Sequence, residues 1–290
     1  MNEARAGRDE PPPRRESGHL REDAAEPAAP GAAAVPAHVV FHGVGKRFGD
    51  GPAVLEDVDF SAASGSFVAL IGPSGCGKST LLRIIAGLSA ASAGEVLVDG
   101  RQPVRGQTDI AFIFQEPTLL PWLPVQANIE VPLRIRGVPR AERAARAADM
   151  LRLVRLEHVR GHYPRELSGG MKMRVSVARA LVQSPRLLLM DEPFGALDEI
   201  TRHHLNEELL DMREAERWTA FFVTHSVAEA VFLSDRILIM GARPGRIVAD
   251  VAVPLARPRG PELRTQPEFH RIVAHVAGIL RAGERAEVGA

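Results

Sequence analysis

Residues 72–80 read GPSGCGKST, a G-x-x-x-x-G-K-[ST] run whose residue types suit the gripping of phosphate. Gly72, Gly75 and Gly77 let the backbone curl through Pro73 and Ser74 so that successive N–H groups face inward on phosphate oxygens. A helix opening at Lys78 adds the positive end of its dipole. Lys78 would then reach the β and γ phosphates of a nucleotide, the Ser79 hydroxyl would ligate magnesium, and Thr80 completes the run. A plain glycine turn has no need of Lys-Ser at those positions. Cys76 is the only cysteine in the chain. It reads as a small tolerated side chain in the loop, with a redox switch as the alternative.

A second pair of carboxylates belongs to the same chemistry. The apolar run Leu187–Met190 ends in Asp191-Glu192-Pro193. A carboxylate at the tip of a buried strand is costly to desolvate unless it faces a cation or a donor. Asp191 therefore reads as a magnesium ligand, as strand-end aspartates are in nucleotide-hydrolysing folds. Glu192 reads as the general base that polarises the attacking water. Asp-Glu-Pro by itself would be only an acidic pair before a turn; the phosphate loop upstream gives it the other meaning.

These residues need strands and helices to hold them. Val39 onward alternates well enough for a strand, and Phe67–Ile71, bounded by Gly65 and Gly72, is a short apolar run of the kind that is buried on both faces. Lys78–Leu88 reads as a helix ended near Gly87. Further strands are expected at Glu95–Val98, Ile110–Phe114, Leu187–Met190, Ala220–Val223 and Ile237–Met240. Ala141–Leu156 and Gly169–Gln183 read as helices. Strands alternating with helices make an α/β core with parallel strands and a helical insertion. Residues 246–256 could add a strand, and Phe269–Leu280 a short amphipathic helix.

Composition narrows the class. The 290 residues are 45% apolar and 25% charged, as in a globular protein, and 36 basic residues balance 36 acidic ones. A neutral chain lacks the field of a protein that coats nucleic acid. One cysteine allows no internal disulfide, and no apolar stretch is long enough to cross a bilayer as a helix. Arg14-Arg15 is followed by charged residues rather than an apolar export region, so a cytoplasmic location is expected. Residues 1–37, rich in Pro and Ala and without Phe, Tyr, Trp or Ile, read as a disordered extension, either dispensable or a partner-binding arm. His203-His204 lie on a charged helix without cysteines and read as solvated side chains; magnesium is the only metal expected.

Between the phosphate loop and Asp191 lies Leu167-Ser168-Gly169-Gly170-Met171, opening a helix. A Ser-Gly-Gly at a helix N-terminus permits close backbone approach and exposes N–H groups and a hydroxyl to an anion. At this point the sequence resembles the ATP-binding subunits of ABC transporters over residues ~39 to 245. Gln115 matches the Q-loop, Gly195-Ala196-Leu197-Asp198 the D-loop, and His225 in FFVTHS the switch histidine. Phe48 falls where the family carries an aromatic under the adenine. The resemblance implies a RecA-like P-loop NTPase core with an antiparallel β subdomain and an inserted α-helical signature subdomain at about 116–184. Residues 38–245 would form the ATP-binding domain, and 246–290 a tail with a short strand and helix. It also implies an ATP sandwich between two copies, each ATP held by one copy's phosphate loop and the other's Ser168, Gly169 and Gly170. In that sandwich His225 contacts the γ-phosphate, Gln115 touches the metal or water, and Asp198 belongs to the D-loop. Transmembrane permease subunits, and through them a solute-binding protein, would be the partners at the cytoplasmic face of the inner membrane.

EPTLLPWLPVQANIEVPL after Gln115, together with DEPFGALDEITR and GARPGRIV, resembles the nitrate, sulfonate and taurine importer branch. Met171 and Met173 stand where glutamines are common, which leaves organic cations, pyrimidine precursors and other small solutes open. Trp122 has two readings, a residue near the surface that meets the membrane partner or a packed aromatic of the insertion. A soluble ABC-type ATPase acting on nucleic acid or ribosomes is the rival. Such relatives carry two cassettes or a long coiled coil, and this chain has neither. The Ser-Gly-Gly signature and His225 count against a P-loop kinase.

Overall fold

The computed structural model describes residues 37–107, 109–195 and 197–288. The extension expected at 1–37 lies outside them, save for Ala37, which opens the first strand. Strands β1 (Ala37–Arg47), β2 (Ala53–Ala63) and β4 (Ala93–Val98) form an antiparallel sheet in the order β2-β1-β4. In β2 the buried residues alternate, so this sheet covers the core with one face.

The second sheet has six strands in the order β5-β6-β7-β3-β8-β9. They are β3 (Phe67–Ile71), β5 (Ile110–Ile113), β6 (Leu187–Asp191), β7 (Thr219–Val223), β8 (Arg236–Met240) and β9 (Ile247–Ala252). Each neighbouring pair from β5 to β8 is parallel. Every residue of β3, β6 and β7 is buried, which explains why FVALI, LLLMD and TAFFV read as unbroken runs rather than alternating ones. Stacked Phe41 and Phe60, with ring centroids 4.5 Å apart, and the Phe60–Phe221 contact at 5.9 Å tie the two sheets together.

Helix α1 (Lys78–Ile85) follows β3. Between β5 and β6 the chain inserts α2 (Val125–Ile135), α3 (Arg140–Leu153) and α4 (Gly169–Leu181), which pack on one another. Fully buried Asn128 in α2 shapes the loop before it: its carbonyl accepts from Leu120 N at 2.8 Å, and its amide donates to the carbonyls of Leu120 and Leu123. That loop holds Trp122 69% exposed, so of its two readings the packed aromatic is the one the structure excludes. The chain continues through α5 (Glu199–Glu216), α6 (Val227–Leu233) and α7 (Pro267–Val288).

Two boundaries differ from expectation. Helix α1 ends at Ile85, before Gly87. Residues after 246 are no appendage: β9 runs antiparallel along β8, and Phe269, Ile272 and Val276 of α7 enter the core cluster that contains Phe67 and Phe222. The amphipathic pattern of α7 was legible, but the strand pairing that brings it to the core is long-range.

Candidate functional site: a phosphate loop at the carboxyl ends of the parallel strands

The carboxyl ends of β3, β6 and β7 deliver Gly72, Asp191 and Thr224 to one edge of the sheet, where open α/β sheets place ligands. The 72–80 loop wraps from β3 into α1, and Gly77 caps the helix with φ 101°, a conformation that L side chains rarely adopt. A Cβ there would also lie 2.5 Å from Leu55 Cδ2. Gly75, at φ 79°, leaves room for Arg243, whose Nη2 would lie 2.6 Å from an added Cβ and whose Nε donates to the Gly75 carbonyl at 3.3 Å. Lys78 is 5% exposed and donates to the carbonyls of Gly72 and Pro73 at 2.9 and 2.8 Å, so its charge is held inside the loop's curl.

Ser79 Oγ donates to Asp191 Oδ1 at 2.9 Å, which brings together two of the three residues expected at magnesium. Burial pushes the Asp191 carboxyl above the usual carboxylate range; the Ser79 hydrogen bond pulls it down, and the neighbouring Glu192 charge pushes it up again. A buried carboxylate beside a hydroxyl, with Gln115 on the wall of the same cleft as Ser79, is a hard oxygen set that suits magnesium. Among the described residues no three His, Cys, Asp or Glu cluster into a self-sufficient metal cage. Such a set fits an ion whose remaining ligands come from phosphates and water.

Glu192 is the hub of the site. Its backbone sits at φ 50°, in the left-handed region, while its N–H donates to the Val223 carbonyl at 3.0 Å. His225 Nε2 lies 2.6 Å from Oε1, and Gln115 Nε2 donates to Oε2 at 3.5 Å. The three residues expected to do the chemistry thus meet from three different connections, after β5, β6 and β7. Together with Ser74, Gly75, Gly77, Lys78, Ser79 and Thr80 they wall a cleft of about 310 Å³. Buried Cys76 lies behind the loop, and burial pushes its thiol up, away from the reactive range.

Other expected residues lie elsewhere. Ser168 caps α4, accepting from Met171 N at 3.3 Å, and Ser168 and Gly169 are exposed. Nothing lies within 4 Å of where a Gly169 Cβ would sit. Asp198 is exposed and caps α5; hydrogen bonds from Thr201 hold its carboxyl below the usual range. Neither Ser168, Gly169 and Gly170 nor Asp198 lines the cleft of their own chain. Phe48, 55% exposed in the loop after β1, also stands outside that wall, with Lys46 Nζ 4.7 Å from its ring centre. A neighbouring cleft of about 450 Å³ shares Val54 and Gly75 with the first and is flanked by Arg47 and Arg243.

Sequence reasoning missed three contributors. Arg243 lies 168 positions from Gly75, and no local pattern announces the contact. Val54 is an ordinary strand residue. Buried Glu229 accepts from Thr224 Oγ1 at 2.6 Å, with Arg202 3.6 Å away, and so braces the turn that carries His225. Here a signal existed: Ser226-x-x-Glu229 has the spacing of a helix start, and Ser226 does cap α6.

Known proteins resemble the chain at this site and beyond it. The family model for ABC transporter domains matches residues 55–195. An uncharacterized ABC transporter ATP-binding protein of Methanocaldococcus jannaschii is 45% identical over 227 residues, 78% of this chain and 84% of that protein. The aliphatic sulfonates import ATP-binding protein of Bacillus cereus is 45% identical over 219 residues, 76% of this chain and 85% of its own length. Among solved structures, a dimeric post-hydrolysis state of an ATP-binding cassette bound to ADP and Pi superposes with a TM-score of 0.68 at 32% identity, covering 75% of this chain and all of that one.

Proposed function

The chain belongs to the ATP-binding proteins of ABC transporters and is an ATPase, and from that membership we propose that it energises a membrane importer for small oxyanionic solutes such as sulfonates, nitrate or taurine. The observation that carries the chemistry is the meeting of Gln115 and His225 on Glu192, next to the Ser79–Asp191 pair. Lys78, held on the Gly72 and Pro73 carbonyls, donates to the β and γ phosphates of ATP, whose oxygens also accept from the loop's N–H groups. Ser79, Asp191 and Gln115 would hold magnesium, which when bound would supply charge neutralisation on the phosphates. Glu192 accepts a proton from the attacking water, and His225 orients Glu192 while facing the γ-phosphate.

The exposed signature supports an assembly of two copies. Ser168, Gly169 and Gly170 and the α4 N-terminus present donors to solvent rather than to their own phosphate loop, so they serve the nucleotide of a second copy. Hydrolysis then weakens the contact between copies, a ligand-biased equilibrium. The transport path belongs to permease subunits met at the cytoplasmic face, a reading supported by the import ATP-binding proteins among the relatives. Trp122 on its Asn128-built loop is the contact offered to them. The solute preference follows the sulfonate importers among the relatives and the residues after Gln115.

Co-purification from the native membrane tests this reading. Two permease subunits and a solute-binding protein that retains sulfonates, nitrate or taurine from a solute panel are expected. Recovery with ribosomes and without membrane protein would overturn it in favour of the soluble alternative.

A further inference from the structure

At the edge of the catalytic sheet opposite the phosphate loop, a cavity of about 730 Å³ opens where β4 ends and β5 and β6 begin. Arg101, Arg105 and Arg186 line it, with Val104 and the His38–Asp99 pair. The backbone fixes these positions. Asp99 and Gly100, at φ 50° and 72°, turn the chain so that Val98 N donates to the Arg101 carbonyl at 2.8 Å and Arg101 N donates to the Val98 carbonyl at 3.1 Å. Asp99 N donates to the His38 carbonyl at 2.8 Å, and Arg186 N to the Asp109 carbonyl at 2.9 Å.

Charge and unmet hydrogen bonding then indicate the ligand. Arg101 and Arg105 have no ion-pair partner among the described residues, whereas Arg186 shares Asp99, 3.2 Å away, with His38 Nδ1 at 2.5 Å. Asp109 also lines the cavity, so three guanidinium groups face two carboxylates. His38 is 3% exposed, and its second ring nitrogen, Nε2, is buried with no hydrogen-bond partner among the described residues. Buried polar atoms are rarely left so, and this one belongs to a side chain that lines the same cavity as the two arginines without an ion pair. Planar guanidinium forks bind oxyanions through paired N–H donors.

We propose that this cavity is a second ligand site, specific for a small tetrahedral oxyanion held by Arg101, Arg105 and Arg186. The anion bridges the turn after β4 to the start of β6, and so ties the antiparallel sheet to the catalytic one. It lies at the amino ends of β5 and β6, while Asp191 and Glu192 lie at the carboxyl end of β6, so the two sites share a strand and no residue.

The test is calorimetric titration of selenate into the full-length chain saturated with the non-hydrolysable analogue AMP-PNP, which occupies the phosphate loop. One selenate site is expected in the wild type. An Arg101→Gln/Arg186→Gln variant is expected to bind selenate at least ~10-fold more weakly while binding AMP-PNP unchanged, since a lost charge-assisted contact is worth about 1.5–3 kcal/mol and 1.4 kcal/mol is tenfold. Anomalous scattering from selenate in crystals of the same complex should fall between the Arg101 and Arg186 guanidinium groups. A parallel titration with ethanesulfonate separates sources: binding at the same site identifies a sulfonate-type ligand, and binding of selenate alone an inorganic one. No selenate binding, or equal binding in the variant, would overturn the proposal. If AMP-PNP itself does not bind, the phosphate-loop reading fails separately, and the selenate site is still read from the difference between wild type and the Arg101→Gln/Arg186→Gln variant.

Discussion

Glu192 holds a left-handed backbone conformation that costs a non-glycine residue on the order of 1 kcal/mol or more, and the sheet imposes it through the bond to Val223. Strain of that kind at the tip of a buried strand aims the carboxylate at His225 and Gln115 rather than along the strand. Its residue type and place after an apolar run were legible in the sequence, as were Lys78, Ser79 and Asp191, because each has a chemical task that few other residue types can do. Arg243 was not legible, since an exposed arginine gains its meaning only when folding brings it against Gly75. Arg243→Ala is expected to raise KM for ATP several-fold, the ~1 kcal/mol of a hydrogen bond that shapes the loop, with kcat nearly unchanged. Arg243→Lys should restore part of it; steady-state kinetics would read both. Cys76 decides between its two readings by accessibility: at 1% exposure and with a raised thiol pKa, it should react with iodoacetamide at neutral pH far more slowly than free cysteine. Labelling at the free-cysteine rate would bring back the redox switch.

Secondary-structure elements were legible in proportion to how local their causes are. Strands β3, β6 and β7 are short apolar runs between turn signals, and α4 starts at its own Ser168 cap. Helix α2 is masked in the sequence because Pro132 interrupts its pattern, although it survives with that proline inside. The segment after β8 looks like a tail in the sequence, because what attaches it is Arg259, a residue type that is usually solvated. Arg259 is 6% exposed; its guanidinium donates to the carbonyls of Val231, Phe232 and Ser234 around the end of α6, and to those of Val253 and Leu255 after β9. Burial pushes it down to about 10, so it stays charged at neutral pH and suits the negative end of a helix dipole. Arg259→Ala leaves five carbonyls short of this donor. A loss of about 2–4 kcal/mol in stability is expected by denaturant unfolding, and an unchanged midpoint would contradict the role given to it.

At the scale of the whole molecule, the family resemblance already implies that Gln115, Glu192 and His225 gather at the phosphate loop while the Ser168 signature faces another copy, and the folded chain adds the distances. Within one chain the phosphate loop and the Ser168 signature stay apart, and each is built with an open side. Ser168→Arg should therefore leave ATP binding intact and lower ATPase activity by at least ~10-fold, since charge and bulk enter only the composite site. Replacing exposed Trp122 by Asp should leave the isolated ATPase unchanged and weaken its retention on permease-containing membranes. The most direct measurement is on Glu192→Gln, with ATP turnover and oligomeric state determined in the same sample. A dimer that retains ATP and hydrolyses it about 10²–10⁴-fold more slowly than wild type is the predicted result, the range set by loss of a general base. Turnover at the wild-type rate would contradict the assignment of Glu192 and the account built around it.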